Sequence, residues 1–393
     1  MRKILDYDVN GKSILLRVDL NSPVVNGKVI LNERISTHVK TMDKLSRRGA
    51  RVIVLAHQGR KGEPDFVSLR QHAHYITNIL GKNITFVPDL TGPKISNALK
   101  SAKNGDIILL ENVRFLESEE RESGEIVKML TPLADYFVLD AMSVAHRAHA
   151  SVVGFTKTLP SFYGPVLAEE VDAISKVMSA NDVTFVLGGS KAGDSLGIIE
   201  NWMRTKKRGR FLLGGALSLL FLKSKGFFLG ASEEFLKKEN LLEHLEDVRA
   251  ICENENITLP HDVGVCVDGN RIEIPVGSIT QGNVWDIGKK TAEHYAGIIA
   301  NSSVVVMNGP MGVYEMKGFE IGTKIVLEAI ANSKCFSLLG GGHTVSALEA
   351  LKFDKKLFGY VSLSGKALIK YLCGEKLVAL KALEDNEKNF MVK

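Results

Sequence analysis

The feature that most limits the fold of this chain is a regular alternation of short apolar runs with amphipathic helical patterns. Runs such as "SILLRVDL", "RVIVLAH" and "DIILLENV" occur in the first half, and "VTFVLGG", "VVVMNGP" and "CFSLLGGG" occur in the second. Helical patterns such as "RISTHVKTMDKLSRRG" lie between them. Apolar strands that alternate with helices indicate an α/β fold, and near-continuous apolar strands indicate parallel sheets covered on both faces.

The length of the chain, 393 residues, is too great for one ordinary hydrophobic core and favours two domains. The stretch "GPVLAEEVDAISKVMSAND", residues 164–182, predicts one amphipathic helix between the two halves. We therefore predict an N-terminal domain over residues 1–163, a hinge helix over 164–182 and a C-terminal domain over 183–376.

The composition is that of an ordinary globular protein, with 45% hydrophobic and 24% charged residues, and argues against disorder. No apolar run reaches the roughly 18–20 residues that span a bilayer. Asp6 and Asp8 lie where a secretory signal would need its apolar core. We read the protein as cytoplasmic. The net charge of +5 fits an anionic ligand and also weak nucleic-acid binding, and composition does not choose between them.

Charged side chains follow the strands of the first half. They are Arg17, Asp19 and Asn21 in "RVDLN", His57 and Arg60 in "HQGR", Arg114 in "ENVRF", and His146, Arg147 and His149 in "AHRAH". Ligands of parallel sheets bind outside the carboxyl ends of the strands, so these side chains should meet at one crevice. Arginine forks suit phosphate and carboxylate oxygens, which predicts a site for a small polyanion.

Glycines follow the strands of the second half, in "LGGSK", "LLGGA", "MNGPMG" and "LLGGGHT". Glycine lets backbone N–H groups approach a phosphate at a helix N-terminus. One such turn alone is more often a packing turn, but four in one domain favour a nucleotide site. Neither GxxxxGK[ST] nor GxGxxG occurs, which argues against the usual P-loop and dinucleotide sites.

These motifs together resemble the phosphoglycerate kinase family over essentially the whole chain. The motifs are "RVDLNSP", "HQGRKG", "LLENVRF", "AHRAHAS", "LGGSK", "MNGPMGVYE" and "LLGGGHT", in family order and spacing. The "HQGR" motif resembles the form found in the archaeal branch of the family. The resemblance implies two Rossmann-like domains with parallel sheets covered by helices, joined by the hinge helix, and a tail, residues 377–393, that packs back on the N-terminal domain.

The resemblance also implies an activity, a phosphotransferase with a carboxyl group as acceptor. A phosphoryl group passes reversibly from 1,3-bisphosphoglycerate to ADP, giving 3-phosphoglycerate and ATP, a step used in glycolysis and gluconeogenesis. Mg²⁺ is implied, with no protein residue assigned to it. Transfer is expected to be in line and to follow closure of the domains. The expected partners are these small molecules alone, without nucleic acid or membrane, and the expected state is a monomer or homodimer.

Site residues follow from the motifs by position. The resemblance places the phosphoglycerate on Asp19, Asn21, Arg34, His57, Gln58, Gly59, Arg60, Arg114 and Arg147. It places the nucleotide on Gly189, Lys191, Gly214, Gly215, Asn308, Pro310, Glu315, Gly340, Gly341, Gly342, His343 and Thr344, with Glu315 on the ribose. Arg34 and Lys191 are the expected catalytic residues, because they would flank the transferred phosphoryl group.

The sequence departs from the family pattern in the second half. His343 stands in "GGGHT" where an aspartate near Mg²⁺ is usual, and Ser195 stands where many members have a second phosphate-binding lysine. Leu363, Ser364 and Lys366 replace a threonine and two glycines of the usual "STGGGA". The altered loop leaves open an alternative, a non-catalytic paralogue that binds a nucleotide or sugar phosphate. A nucleic-acid-binding protein is a further rival that rests on charge alone.

Overall fold

The computed structural model describes residues 1–205 and 207–391, and the chain divides into two compact units. Unit 1 comprises Met1–Val171 and Lys376–Lys393, and unit 2 comprises Asp172–Glu375. The last two residues of the predicted tail, 392 and 393, lie outside the described residues. Across the described ranges, the helices are all too short or too polar to cross a membrane.

Unit 1 is built from parallel strands and covering helices. Its strands are β1 (Ser13–Arg17), β2 (Val24–Val25), β3 (Lys28–Val29), β4 (Arg51–Leu55), β5 (Thr85–Val87), β6 (Ile107–Leu110), β7 (Tyr136–Leu139) and β8 (Ser161–Tyr163). Its helices are α1 (Glu33–Arg47), α2 (Arg70–Leu80), α3 (Pro93–Ser101), α4 (Glu125–Leu130) and α5 (Ala150–Val153), followed by α6 (Pro165–Ser179), which continues into unit 2.

The main sheet of unit 1 has the order β5-β6-β4-β1-β7-β8, and its described strand pairs are all parallel. Every residue of β1 is buried, as expected of a strand covered on both faces. The chain runs outward from β1 to one edge and then returns to add β7 on the other side. Such a reversal opens a crevice at the carboxyl ends of the central strands.

Unit 2 is likewise built from strands and covering helices. Its strands are β9 (Asp182–Leu187), β10 (Arg208–Leu213), β11 (Ile257–Thr258), β12 (Asp262–Val267), β13 (Asn270–Pro275), β14 (Asn283–Ile287), β15 (Val304–Asn308), β16 (Phe336–Gly340) and β17 (Tyr360–Val361). Its helices are α7 (Ala192–Arg204), α8 (Gly215–Ser224), α9 (Ser232–Lys238), α10 (Leu245–Ile251), α11 (Lys289–Ala300), α12 (Ile321–Asn332), α13 (Gly342–Ala350) and α14 (Lys366–Leu372). The main sheet has the parallel order β11-β10-β9-β15-β16-β17, so the predicted α/β class with parallel sheets is confirmed.

A second sheet of unit 2 is antiparallel, with the order β13-β12-β14, and the sequence reasoning missed it. The signal was present in "VDGNRI", because Asp-Gly is a strong hairpin signal. Asp268 and Gly269 both have positive φ, 49° and 79°, as a tight hairpin turn of this kind requires. This sheet supplies one wall of the unit 2 cavity described below.

The predicted hinge helix, residues 164–182, corresponds to α6, Pro165–Ser179. Asp182 already belongs to β9. The final helix, α15 (Val378–Asn389), packs on β8 in unit 1. Asn386 is buried there, accepts a hydrogen bond from Ser161 N at 2.8 Å and donates to the carbonyl of Leu159 at 2.9 Å.

Candidate active site

The carboxyl ends of the neighbouring strands β6, β4, β1 and β7 bring the charged motifs of unit 1 to one edge of the sheet. A cavity of about 350 Å³ lies there. Its lining includes the predicted residues Asn21, His57, Gly59, Arg60, Arg114 and Arg147, together with Val24, Glu63, Pro64 and Asp65. Motifs up to 126 residues apart in sequence therefore contribute to one site, counted from Asn21 to Arg147.

Arg60, Arg114 and Arg147 form the arginine rim of this cavity, and the buried pair of Arg17 and His57 lies against it. Arg17 is 2% exposed, its Nε donates to Ser151 Oγ at 2.9 Å, and its Nη2 lies 3.1 Å from His57 Nδ1. Because a guanidinium only donates, His57 Nδ1 is the acceptor and the ring proton is on Nε2. Burial and the charge of Arg17 hold the pKa of His57 well below its usual value. His57 therefore presents a neutral N–H.

Asp19 and Arg34 do not line the cavity but form an ion pair beside it, and Asp19 accepts a hydrogen bond from the N–H of the lining residue Asn21. Arg34 Nη1 lies 3.3 Å from Asp19 Oδ2, which also accepts a hydrogen bond from Ser143 at 2.6 Å. Burial alone would raise the pKa of Asp19, but the charge of Arg34 and the Ser143 hydrogen bond outweigh it and lower the pKa. Asp19 is thus ionised and binds the Arg34 guanidinium. An anionic ligand would compete with Asp19 for this guanidinium.

Arginine charge accumulates around the cavity. Burial, and then repulsion from Arg147, Arg17 and Arg60, lowers the pKa of Arg114 to about 10. Burial and the charge of Arg60 likewise lower the pKa of Arg147. Arg114 also donates to the carbonyl of Gly59. Like charges held this close store repulsion, and a bound anion would relieve it.

A buried acid beneath the rim was not found from sequence. Glu119 is 1% exposed and accepts hydrogen bonds from the backbone and hydroxyl of Ser151 at 3.1 and 2.6 Å. Burial raises its pKa, although Arg17 and the Ser151 hydrogen bonds oppose the shift. Glu119 thereby supports Ser151, the hydrogen-bond partner of Arg17. In "LESEERESG" nothing distinguishes this glutamate from its exposed neighbours.

Two predicted residues of the HQGR motif have structural contacts of their own. The Gln58 side chain is fully buried, and its amide bonds Ser22 at both ends, at 2.9 Å each. Gly59 has φ +66°, and a Cβ there would lie 2.2 Å from the Asp65 carbonyl oxygen. Its N–H donates to Asn21 Oδ1 at 2.8 Å. Gln58 and Gly59 therefore shape the loop that presents His57 and Arg60.

In unit 2, the loops that carry the glycines after the strands pack closely and form hydrogen bonds with one another. Gly188 N donates to Asn308 O at 2.9 Å, and Gly189 N donates to Pro310 O at 2.7 Å. A Cβ on Gly215 would lie 2.6 Å from Gly189 N, and one on Gly214 would lie 2.7 Å from Met311 Sδ. Part of the glycine signal thus reflects packing of loops against loops, as the simpler interpretation of such turns expects.

The start of α13 is more open. Gly341 precedes the helix with φ +87°, and a Cβ there would lie 2.5 Å from Asn308 Oδ1. Thr344 is buried and its Oγ1 accepts from Gly309 N at 2.7 Å, which ties the helix to the β15 loop. A Cβ on Gly342, in contrast, would meet nothing within 4 Å. Exposed first-turn N–H groups at such a position suit an anion.

An apolar cavity of about 490 Å³ adjoins these loops. The predicted residues Gly189, Gly215, Pro310, Glu315 and His343 line it. So do residues that the sequence reasoning missed, among them Leu219, Phe235, Asn283, Trp285, Asp286 and Val313. A mostly apolar cleft with a few polar groups is the usual environment of a nucleotide base. Their spacing in sequence gave no signal, since they come from α8, α9, β14 and the loop after β15.

The wall of this cavity is held by a buried ion pair. Arg271 Nη1 lies 2.8 Å from Asp286 Oδ2, which also accepts from Gly322 N at 2.7 Å. Arg271 donates further to the carbonyls of Gly318 and Ile287 at 2.9 and 3.0 Å. The pair joins the antiparallel sheet to the start of α12 and so fixes the loop that carries Glu315.

Lys191, Gly214, Asn308, Gly340 to Gly342 and Thr344 are predicted nucleotide residues outside the cavity lining. Lys191 is exposed and directly precedes α7. Ser195 in the first turns of α7 is fully buried, so the position of the usual second lysine faces the core here. Lys366 is exposed at the first residue of α14.

Comparison with known proteins identifies the family. The family model for phosphoglycerate kinase matches residues 4–375. The phosphoglycerate kinase of Saccharolobus solfataricus is 40% identical over 391 residues, covering 96% of this chain and 95% of that protein. That of Pyrococcus horikoshii is 35% identical over 407 residues, covering 99% of both. These relatives are archaeal, as expected from the HQGR wording.

Solved structures agree with the sequence relatives. A crystal structure of phosphoglycerate kinase from Pyrococcus horikoshii superposes with a TM-score of 0.91 at 34% identity, covering 99% of this chain and 100% of that one. The structure of phosphoglycerate kinase from Coxiella burnetii gives a TM-score of 0.83 at 31% identity, with 98% of each chain covered. The chain, of which 96% is covered by a sequence relative and 99% by a solved structure, belongs to the phosphoglycerate kinase family.

Proposed function

We propose that the chain catalyses its family's reaction, the reversible transfer of a phosphoryl group from 1,3-bisphosphoglycerate to ADP, with the phosphoglycerate on unit 1 and the nucleotide on unit 2. The observation that carries this assignment is the arginine-lined cavity of about 350 Å³ in unit 1. Arg60, Arg114 and Arg147 line one small space, and burial lowers the pKa of the last two. A small polyanion supplies the charge that this space lacks.

The nucleotide is assigned to unit 2 because the apolar cavity of about 490 Å³ and the open start of α13 adjoin. The apolar lining from Leu219, Phe235 and Val313 suits a flat base, and Glu315 suits the ribose hydroxyls. The N–H groups of Gly342 and His343 suit phosphate oxygens. Lys191, exposed at the start of α7, would reach the terminal phosphates.

In the proposed reaction the protein supplies position and charge and needs no general base. The nucleophile is ionised in either direction, a carboxylate of 3-phosphoglycerate or a phosphate of ADP. Arg34, which exchanges Asp19 for substrate, would neutralise the equatorial oxygens from one side, and Lys191 would do so from the other. His57 would donate its Nε2 proton in a hydrogen bond without titrating. Direct transfer requires the two substrates to meet, so we propose that the units approach each other before transfer.

Mg²⁺ is the metal that the family implies, and in kinases this ion is usually held by substrate phosphates and waters with only one or two protein carboxylates. Within residues 1–205 and 207–391, no three His, Cys, Asp or Glu side chains are grouped to hold a metal ion. His343 at the start of α13 offers a ring nitrogen, whereas Mg²⁺ prefers oxygen ligands. No catalytic step is therefore assigned to a protein-held metal.

A coupled assay tests the proposed function. Purified protein is given 3-phosphoglycerate and ATP, with and without Mg²⁺, and product formation is followed by NADH oxidation through a dehydrogenase. We expect turnover that requires 3-phosphoglycerate. Absence of turnover in a protein that still binds ATP would favour the non-catalytic paralogue. The cytoplasmic location, the absence of nucleic-acid partners and a monomeric or homodimeric state stay predictions.

A further inference from the structure

Asp140, directly after β7, is a buried acidic residue of unit 1 that the proposed reaction does not use. It is 0% exposed. Its Oδ1 accepts hydrogen bonds from the N–H groups of Val166 at 2.8 Å and Leu167 at 3.2 Å. These groups belong to the first turn of α6 and have no partner within the helix. The carboxylate therefore caps α6, and its charge also complements the helix dipole.

The approach of the chain to this carboxylate is close. Gly164 directly precedes α6, and a Cβ there would lie 2.2 Å from Asp140 Oδ1 and 2.5 Å from Asp140 Cβ. The Gly164 N–H donates to the carbonyl of Leu139 at 2.8 Å. The start of α6 is thus attached to the end of β7 by contacts that leave little room for independent movement.

The second oxygen of Asp140 faces α1. His38 Nδ1 lies 3.3 Å from Asp140 Oδ2, and His38 is 4% exposed. His38 follows Arg34 by four residues, so the two side chains lie on the same face of α1, one turn apart. Arg34 is the residue paired with Asp19. One face of α1 therefore contacts Asp19 at its first turn and Asp140 at the next.

We propose that His38 and Asp140 are positioning residues that transmit movement of Arg34 to α6. Helix α6 starts in unit 1 and runs into unit 2, because the boundary falls after Val171. This inference rests on the proposed function. A bound phosphoglycerate competes with Asp19 for Arg34 and shifts the first turn of α1. His38 carries that shift to Asp140, and Asp140 carries it to the first turn of α6. Close packing makes such small shifts transmissible.

Substitutions at His38 separate transmission from mere stabilisation. His38→Met keeps an apolar side chain of similar length and removes the hydrogen-bond donor to Asp140, whereas His38→Gln retains a donor. Asp140→Asn retains an oxygen that can cap α6 and removes the charge. Asp262 provides a matched control in unit 2, since its carboxylate caps α11 through Thr291 N at 2.7 Å and Lys290 N at 3.2 Å.

The measurements are turnover and Michaelis constants in the coupled assay, and the radius of gyration from small-angle scattering with and without 3-phosphoglycerate plus a non-hydrolysable ATP analogue. All are made well below the unfolding temperature of each variant. We expect His38→Met to lower turnover about ten-fold with little change in either Michaelis constant, and to reduce the ligand-induced compaction. His38→Gln should restore both. Asp140→Asn should resemble His38→Met in sign, and Asp262→Asn should lower stability alone.

Wild-type turnover is measured first, because its absence would refute the proposed function and with it this inference. With wild-type turnover present, unchanged turnover and compaction in His38→Met would refute the transmission alone. The same conclusion would follow if His38→Gln failed to restore compaction, or if Asp262→Asn lowered compaction to the same extent as His38→Met.

Discussion

Units 1 and 2 each contain a six-stranded parallel sheet, with different strand orders, but bind, in our proposal, by different means. The edge of unit 1 carries guanidinium, imidazole and carboxylate side chains, which must be supported by buried partners such as Glu119 and Ser151. The edge of unit 2 carries glycines, and backbone N–H groups are proposed to make its phosphate contacts together with the Lys191 side chain, while Glu315 contacts the ribose. The difference shows that the scaffold provides a crevice, and that the loops decide what enters it.

Each strategy has its own structural cost. In unit 1, burial and mutual repulsion oppose the arginine charges before any ligand arrives. In unit 2, positive φ and close backbone contacts make several positions intolerant of a side chain, as at Gly341. Side-chain deletion should therefore be most harmful in unit 1, and side-chain addition should be most harmful in unit 2.

The largest expected effect is that of Arg34→Ala. Removal of a charge beside the transferred group should lower turnover by roughly 10²–10³, or about 3–4 kcal/mol of transition-state stabilisation. Arg47→Ala is the matched control, because Arg47 lies on the same helix and pairs with Asp43 at the surface. Steady-state kinetics decides: a raised Michaelis constant with unchanged turnover would show that Arg34 only anchors the substrate.

Gly341→Ala should have the next largest effect. Its φ of +87° and the 2.5 Å approach to Asn308 Oδ1 force the start of α13 to move. We expect ATP affinity to fall about ten-fold or more, since the φ of 87° and ψ of 140° at Gly341 form a conformation that residues with a Cβ rarely adopt and that costs them about 1–3 kcal/mol. Calorimetric titration measures it. Gly342→Ala, where the Cβ meets nothing within 4 Å, is the control for stability. Unchanged ATP affinity in Gly341→Ala would remove the backbone argument.

Acid should weaken unit 1 through its buried histidines. Burial lowers the pKa of His72 to about 4, so the folded state keeps this ring neutral while the unfolded state, with a pKa near 6.5, takes up a proton. The stabilisation is full above about pH 6.5 and is lost as pH falls toward 4. From pH 7 to 5 we expect a loss of about 1–2 kcal/mol from His72.

Hydrogen exchange of the amides in β1 and β4, measured at pH 7 and pH 5 in wild type and in His72→Gln, reports this loss of stability. His72→Gln should show a smaller fall in protection, because glutamine has no ring to titrate. His72 Nε2 lies 3.1 Å from Gln58 Oε1, so the HQGR loop should lose protection with the strands. An equal pH dependence in wild type and His72→Gln would show that His72 does not titrate in this way.

The sequence predicted the alternation of strands and helices, and hence the parallel sheets, because each buried strand is a continuous apolar run. It predicted the charged rim because charges directly after such runs must lie at one edge of a sheet. It did not predict the burial of Glu119, because the sequence around a glutamate does not distinguish a buried side chain from an exposed one. Nor did it predict the wall formed by Phe235 and Trp285, because side chains from separate elements meet there only through tertiary packing.

The helix histidines show the same limit. His38 and His72 lie in helical patterns, and from sequence alone a histidine in such a pattern is expected to be an exposed or packing residue. Both are buried, and each has a polar partner, Asp140 for His38 and Gln58 for His72. A periodic pattern gives the buried face of a helix, but it does not give the residue that the face meets. The meeting of α1 with the end of β7 depends on the whole sheet order.

The central claim is that the two ligands occupy different units, and hydrogen exchange with one ligand at a time tests it most directly. With 3-phosphoglycerate alone, we expect new protection in residues 57–60 and 145–150 of unit 1 and none in the glycine loops. With ADP alone, we expect protection in residues 189–192, 308–315 and 340–344 of unit 2 and none at the arginine rim. Protection of the arginine rim by ADP alone, or of the glycine loops by 3-phosphoglycerate alone, would contradict the claim that the two ligands bind to different units.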